Sequence, residues 1–178
     1  KDVEEILRKL KELIDEARRR LEKTLRDHED IVRRAKRRLE ELLKRHRDIM
    51  DEVRRKVRTK ELLDTVREDS KRVVKEAREI LEELKRISEK VVEEHKRLSE
   101  ELKRRLDKIL EELERRGVPE EARRRLEEEV RKVRKEIEDV NRRLEKSHKE
   151  AEETLRRVEE ELKKSHDELE RILREIER

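Results

Sequence analysis

Cysteine, phenylalanine, tyrosine and tryptophan are all absent from the 178 residues, and glycine and proline occur once each. Without cysteine there is no disulfide, no thiolate metal site and no redox switch, and nothing in its usage points to a compartment. Without aromatic rings there is no platform on which nucleic-acid bases could stack. No run of apolar residues exceeds two, which excludes a membrane-spanning helix and the apolar heart of a signal peptide. No targeting signal is present, so the localisation is unknown from the sequence. With 30% hydrophobic and 61% charged residues, a core of ordinary globular shape is not expected.

High charge alone would suit a disordered chain, but charges of both signs are interleaved here and the apolar residues keep a helical period throughout. The net charge of +4 is unevenly placed: residues 1–58 hold 21 Lys+Arg against 15 Asp+Glu, while the remainder is balanced or slightly acidic. Arg18-Arg19-Arg20 and Lys36-Arg37-Arg38 are flanked by Glu16, Glu22 and Glu40. These read as a solvated, ion-paired helix face rather than a phosphate-binding patch. No nucleic-acid partner is expected.

The single glycine and the single proline stand together in Arg116-Gly117-Val118-Pro119-Glu120-Glu121. Gly117 suits the left-handed position that ends a helix. Pro119 suits the first turn of the next, with Glu120 and Glu121 favourable at its positive end. Before this turn, the apolar positions repeat every 18 residues: Leu13, Ile31 and Ile49; Ile14, Val32 and Met50; Leu7, Leu25 and Leu43. Eighteen residues over five turns match the 3.6 residues per turn of a straight α-helix, whereas a heptad repeat demands supercoiling. Continued past Val57, the repeat would land on charged Asp64, Arg67, Glu68 and Lys71. The stripe breaks there and restarts on another face at Leu62, Leu63 and Val66. This places a second reversal near residues 57–60 with Thr59 as the helix cap, against the alternative of one continuous helix to Arg116. The fold expected is all-α, a long up-down-up three-helix bundle of antiparallel hairpins and near-straight helices. Its helices run over about residues 2–57, 60–116 and 119–177 of one elongated domain, residues 1–178.

Polar residues interrupt the apolar faces at matching heights. His28 and His46 occupy the place that Leu10 takes in the repeat, and His148 and His166 the place of Val130. All four are therefore expected on the buried stripe. A parallel first and third helix, offset by about 120 residues as three helices of roughly equal length require, would set His28 beside His148 and His46 beside His166. The middle helix would then offer Ser88 to the first pair and Ser70 to the second, with Ser147 and Ser165 adjacent. His95 would meet Asn141, with Ser99 and Thr24 nearby. Buried polar groups are costly unless partnered, so this clustering predicts hydrogen bonds across helices. A second proton on a buried imidazole would remove an acceptor and bring like charges together.

Other chemistries fit these residues less well. Zinc needs three or four good ligands, and each layer supplies two imidazoles with serines. A hydrolase would need an oxyanion hole and an orienting acid, and neither is evident. No catalytic residue, cofactor, metal or small-molecule ligand is expected. The wide apolar stripe leaves self-association or a designed helical partner as the open partner classes.

The 18-residue repeat, the Gly117–Glu121 turn, the Glu/Lys/Arg surface and the His/Ser/Asn layers together resemble de novo designed parametric helical bundles with buried hydrogen-bond networks. In particular, they resemble the designed histidine-network bundles made to respond to pH. Members of that group are typically homo-oligomers of helical hairpins, from which a three-helix chain departs. The resemblance implies a designed scaffold that opens or disassembles on histidine protonation. The alternative is a static bundle or pairing module whose networks set register and specificity only.

Overall fold

The computed structural model describes residues 2–56 and 60–177. They form three helices, α1 (Asp2–Lys56), α2 (Lys60–Arg115) and α3 (Glu120–Glu177). The reversal expected near residues 57–60 has its connecting positions 57–59, and with them the Thr59 cap, outside the described residues. The other reversal is described in full. Gly117 takes φ 65°, the left-handed conformation that costs an L-residue but not glycine. The Arg116 amide donates to the Glu112 carbonyl at 3.2 Å, closing α2. Pro119 stands one position earlier than the first helical turn. Its carbonyl already accepts the Arg123 amide at 3.0 Å, so it serves as the N-cap residue of α3 and its missing N–H is no loss.

Cross-helix bonds establish the directions. Between α1 and α3 the partners differ by a nearly constant 114–119 residues, as in His28–Ser147, Arg54–Glu168 and His46–Ser165. The two helices therefore run parallel and in step. Between α2 and α3 the separation shrinks toward the turn, from 46 at His95–Asn141 to 9 at Glu114–Arg123, as antiparallel helices require. The same holds for α1 and α2, where it is 38 for Arg38–Glu76 and 24 for His46–Ser70. The chain is thus all-α, an up-down-up three-helix bundle.

Its contacts fall into two compact units, Lys1–Glu29 with Glu89–His148, and Asp30–Ser88 with Lys149–Arg178. In the first unit a core of Ile6, Leu10, Ile14, Leu21, Leu102, Leu106, Leu126 and Ile137 is closed near the turn by Leu113 and half-buried Val118. In the second unit Leu39, Leu42, Val73, Ala77, Leu81 and Val158 form one cluster, and Met50, Val53, Leu63, Val66, Leu169 and Leu173 another. Burying each large aliphatic side chain contributes about 1.5–3 kcal/mol. Among the described residues no large hydrophobic side chain is exposed, so the apolar stripe is covered by the chain's own helices. Ion pairs cross the helix edges outside the core, among them Arg18–Glu136, Arg134–Asp107 and Arg38–Glu76. Their side chains are about half exposed, and such pairs add little to stability.

Candidate functional site

Inside this apolar interior sit His28 and His46, each 0% exposed, and His95 at 2%. On α1 most buried positions from Ile6 to Val53 follow one another by three or four residues, and the two histidines take the positions of a core leucine. Neither ring can reach solvent, so its nitrogens depend on neighbouring helices.

His46 is held from two sides. Its Nε2 lies 2.8 Å from the Ser70 hydroxyl of α2, and its Nδ1 lies 2.5 Å from the Ser165 hydroxyl of α3. Ser165 also donates to the sulfur of Met50 at 3.0 Å. With that hydroxyl proton directed to sulfur, the Ser165 oxygen accepts from Nδ1–H, and Nε2 is left as the acceptor of the Ser70 hydroxyl. The ring is satisfied by one donor and one acceptor from different helices. A second proton, on Nε2, would need the Ser70 hydroxyl only to turn and accept. Loss of an acceptor is therefore not what opposes protonation of His46. Burial first, and the neighbouring His166 second, hold its pKa below the ordinary 6.5.

In the first unit the Nδ1 of His28 lies 2.7 Å from the Ser147 hydroxyl of α3. Its pKa is lowered from 6.5 by burial and then by His148, with Glu29 acting in the opposite direction. His95 of α2 bonds through Nε2 to the Asn141 side-chain oxygen of α3 at 2.5 Å, and Ser99 donates to the same oxygen at 3.2 Å. Its Nδ1 is buried with no hydrogen-bond partner. Since Nε2 must be the donor to that oxygen, Nδ1 carries a bare lone pair, and a proton placed there would find no acceptor. Burial lowers the pKa of His95, and the Asn141 bond acts in the opposite direction.

Not every residue expected on the stripe is enclosed. His148 and His166 are only half-buried. Consecutive helical positions point about 100° apart, so Ser147 and Ser165 turn toward the α1 ring while the histidine that follows each stands at the edge. The His166 side chain is 41% exposed, and its Nε2 lies 3.9 Å from the Glu170 carboxylate one turn on. Ser70 and Ser165, expected in the layer of His46, reach the same ring from its two nitrogens. Ser88 is buried on α2. Thr24 is half-buried and donates to the Arg20 carbonyl of its own helix at 2.9 Å. A hydroxyl one turn from a carbonyl satisfies itself locally, without reaching another helix.

One buried polar residue escaped the sequence reading. Thr154 is 3% exposed and donates to the Glu150 carbonyl at 2.8 Å. Its spacing from Ser147, Ala151 and Val158 is the i, i+4, i+7, i+11 pattern of a core face, and that signal was available. Among the described residues no group of three or more histidines and carboxylates is placed to hold a metal ion. No helix among them is long and apolar enough to cross a membrane.

No protein-family model matches the chain, and no curated protein does. Among solved structures the chain is similar to one described as a "Computationally designed three helix bundle". The two share 20% sequence identity with a TM-score of 0.50, and the alignment covers 98% of this chain and 87% of that chain. At that identity the likeness speaks for the fold.

Proposed function

We propose that this chain is a designed structural scaffold whose buried histidine networks make it lose structure at mildly acidic pH. The observation that carries this reading is His46, fully enclosed and bonded through both ring nitrogens to hydroxyls of two other helices. The designed origin is supported by the 18-residue repeat and by the designed three-helix bundle that the chain resembles in fold. Residues 1–178 are treated as one domain that unfolds in one transition.

The sign of the pH effect follows from the lowered values of His28, His46 and His95. The unfolded chain binds protons on these rings below about pH 6.5, and the folded chain does so only at lower pH. Stability is therefore whole at neutral pH and is lost progressively as pH falls below 6.5 toward the lowered folded values. Circular dichroism and light scattering from about pH 7.5 to about pH 4 read this directly. The comparison is a variant with all five histidines replaced by asparagine. The parent is expected to lose helix, or to reach its denaturant midpoint earlier, on the acid side only. Superimposable pH curves for the two proteins would refute the reading.

A second reading, a static bundle whose networks only set register, is favoured by one feature. His95 bonds to Asn141, whose oxygen also accepts from Ser99, a purely neutral set, and no second imidazole is among the causes that shift its pKa. The asparagine variant separates the two readings, since a static network makes no demand on pH. We assign no catalytic role and no membrane or nucleic-acid partner. With the stripe covered, self-association or capture of a further helix would require a helix of this chain to move aside.

A further inference from the structure

Met50 carries the only sulfur of the chain, and with no cysteine, tyrosine or tryptophan present it is the one side chain open to oxygen transfer from a peroxide. It belongs to the buried cluster of Val53, Leu63, Val66, Leu169 and Leu173 in the second unit and is 6% exposed. Two features separate it from an ordinary core methionine. Its thioether accepts a hydrogen bond from the Ser165 hydroxyl at 3.0 Å. Met50 and Ser165 also share the wall of a groove of 370 Å³ between α1 and α3, so a small reagent need not cross the core to reach them. The arginines of that groove are engaged, Arg47 with Glu161 and Arg54 with Glu168. Lys164 is its remaining cation and stands exposed.

We propose that Met50 is a site of modification by hydroperoxides, with the Ser165 hydroxyl as the ready partner of the oxygen it gains. Sulfur has two lone pairs, of which the hydroxyl takes one, and the other attacks the outer oxygen of the peroxide. The S–O bond forms as the O–O bond breaks, and sulfur gives up two electrons. The proton on the transferred oxygen passes to the departing one, which leaves as water or, from an alkyl hydroperoxide, as an alcohol. Rotation about the flexible end of the methionine side chain brings the sulfoxide oxygen to the Ser165 hydroxyl, whose proton already points at sulfur. The Nδ1–H of His46 continues to donate to the Ser165 oxygen. Oxidation therefore adds one link to the chain of bonds that begins at the enclosed ring. It also sets a polar group among leucines and valines, which weakens this cluster without dismantling it, because the new oxygen has a donor. The site does not depend on the acid response.

The experiment exposes the full-length protein to hydrogen peroxide at neutral pH. Mass spectrometry of the intact chain reads the uptake, and the single methionine methyl resonance assigns it. One oxygen is expected, and Met50→Leu, a swap of nearly conserved volume, should take up none. The folded chain should react within about a hundredfold of the rate of the unfolded chain, whereas reaction through global unfolding alone would be slower by about 10³ or more. The second route would also quicken in step with the unfolded fraction as guanidinium is added. The role of Ser165 is read in His46→Leu, which has no ring nitrogen to compete for the new oxygen. There oxidation should lower the guanidinium midpoint, and with Ser165→Ala added the oxidative drop in the folding constant should be about fivefold larger or more.

The inference is overturned if the folded chain takes up no oxygen, or takes it up only as fast as it unfolds. It is equally overturned if oxidation costs the same with and without the Ser165 hydroxyl, since Lys164 or water would then serve the sulfoxide. Uptake by the folded chain, with the larger loss where the hydroxyl is missing, supports it whatever the chain does in acid.

Discussion

Replacing Ser70 by alanine tests the hydrogen-bond argument at its most exacting point. The substitution removes one hydroxyl from a site 2% exposed and leaves the Nε2 of His46, 2.8 Å away, without its partner in a ring that is 0% exposed. No tautomer rescues it. With the proton on Nδ1, Nε2 becomes a bare acceptor, and with the proton on Nε2, it becomes a donor without an oxygen. An orphaned buried polar group costs about 1–3 kcal/mol, well above the few tenths that a surface serine would cost. For a chain of this size, each kcal/mol lowers the melting temperature by about 2–4 °C. Guanidinium unfolding at neutral pH should show the loss as a lower midpoint with unchanged slope. His46→Leu supplies the control. The leucine leaves two serines whose hydroxyls can turn to carbonyls of their own helices, so it should be neutral or stabilising, and Ser70→Ala added to it should cost little. A loss below about 0.5 kcal/mol for Ser70→Ala alone, or the same loss in both backgrounds, would refute the pairing that this structure describes.

Two further substitutions probe other parts of the fold. His95→Leu removes a ring whose Nδ1 is buried without a partner, while Asn141 is half-buried and retains Ser99. It should leave stability at neutral pH unchanged or raised in chemical denaturation, and a loss above about 1 kcal/mol would mean that the Asn141 bond outweighs the orphaned nitrogen. Gly117→Ala places a methyl where nothing lies within 4 Å but φ is +65°. The cost is conformational alone, about 1 kcal/mol by the same measurement, and no change would mean that the turn adopts another conformation.

The architecture was legible because the sequence signals it twice. The 18-residue stripe gives the helices and their inner faces, and the break after Val57 with the Gly117 turn gives their number. The buried rings of α1 were legible for the same reason, since His28 and His46 fall on a position otherwise held by Leu10. The sequence is less informative about depth. Ser147 and His148 are adjacent, as are Ser165 and His166, and periodicity places both members of each pair near the stripe without saying which turns inward. The short hydroxyls went to the α1 rings, and the longer imidazoles kept contact with water. Thr24 illustrates another limit, because a threonine on a helix always has its own i−4 carbonyl as a competitor for any partner across the core.

The same geometry explains why hydroxyls and imidazoles stand where leucines would pack. A stripe of near-uniform aliphatic residues repeating at 3.6 positions looks much the same after a helix slides by one turn, so apolar burial discriminates weakly between registers. In the second unit, sliding α2 by three or four residues would bring Val73 or Val66, both buried, to the place of Ser70 opposite His46. The apolar area covered would hardly change, and the serine hydroxyl could turn to a carbonyl of its own helix, yet an imidazole nitrogen would lose its partner, at about 1–3 kcal/mol. That penalty disfavours the slipped state by a factor of roughly 5 or more. Register discrimination of this kind requires neutral rings bonded to neutral hydroxyls, and the lowered pKa values of His28 and His46 keep them so at neutral pH. Acid acts on the same rings that hold the register, so a proton that destabilises a layer also removes the main energetic reason for its helices to stay in step.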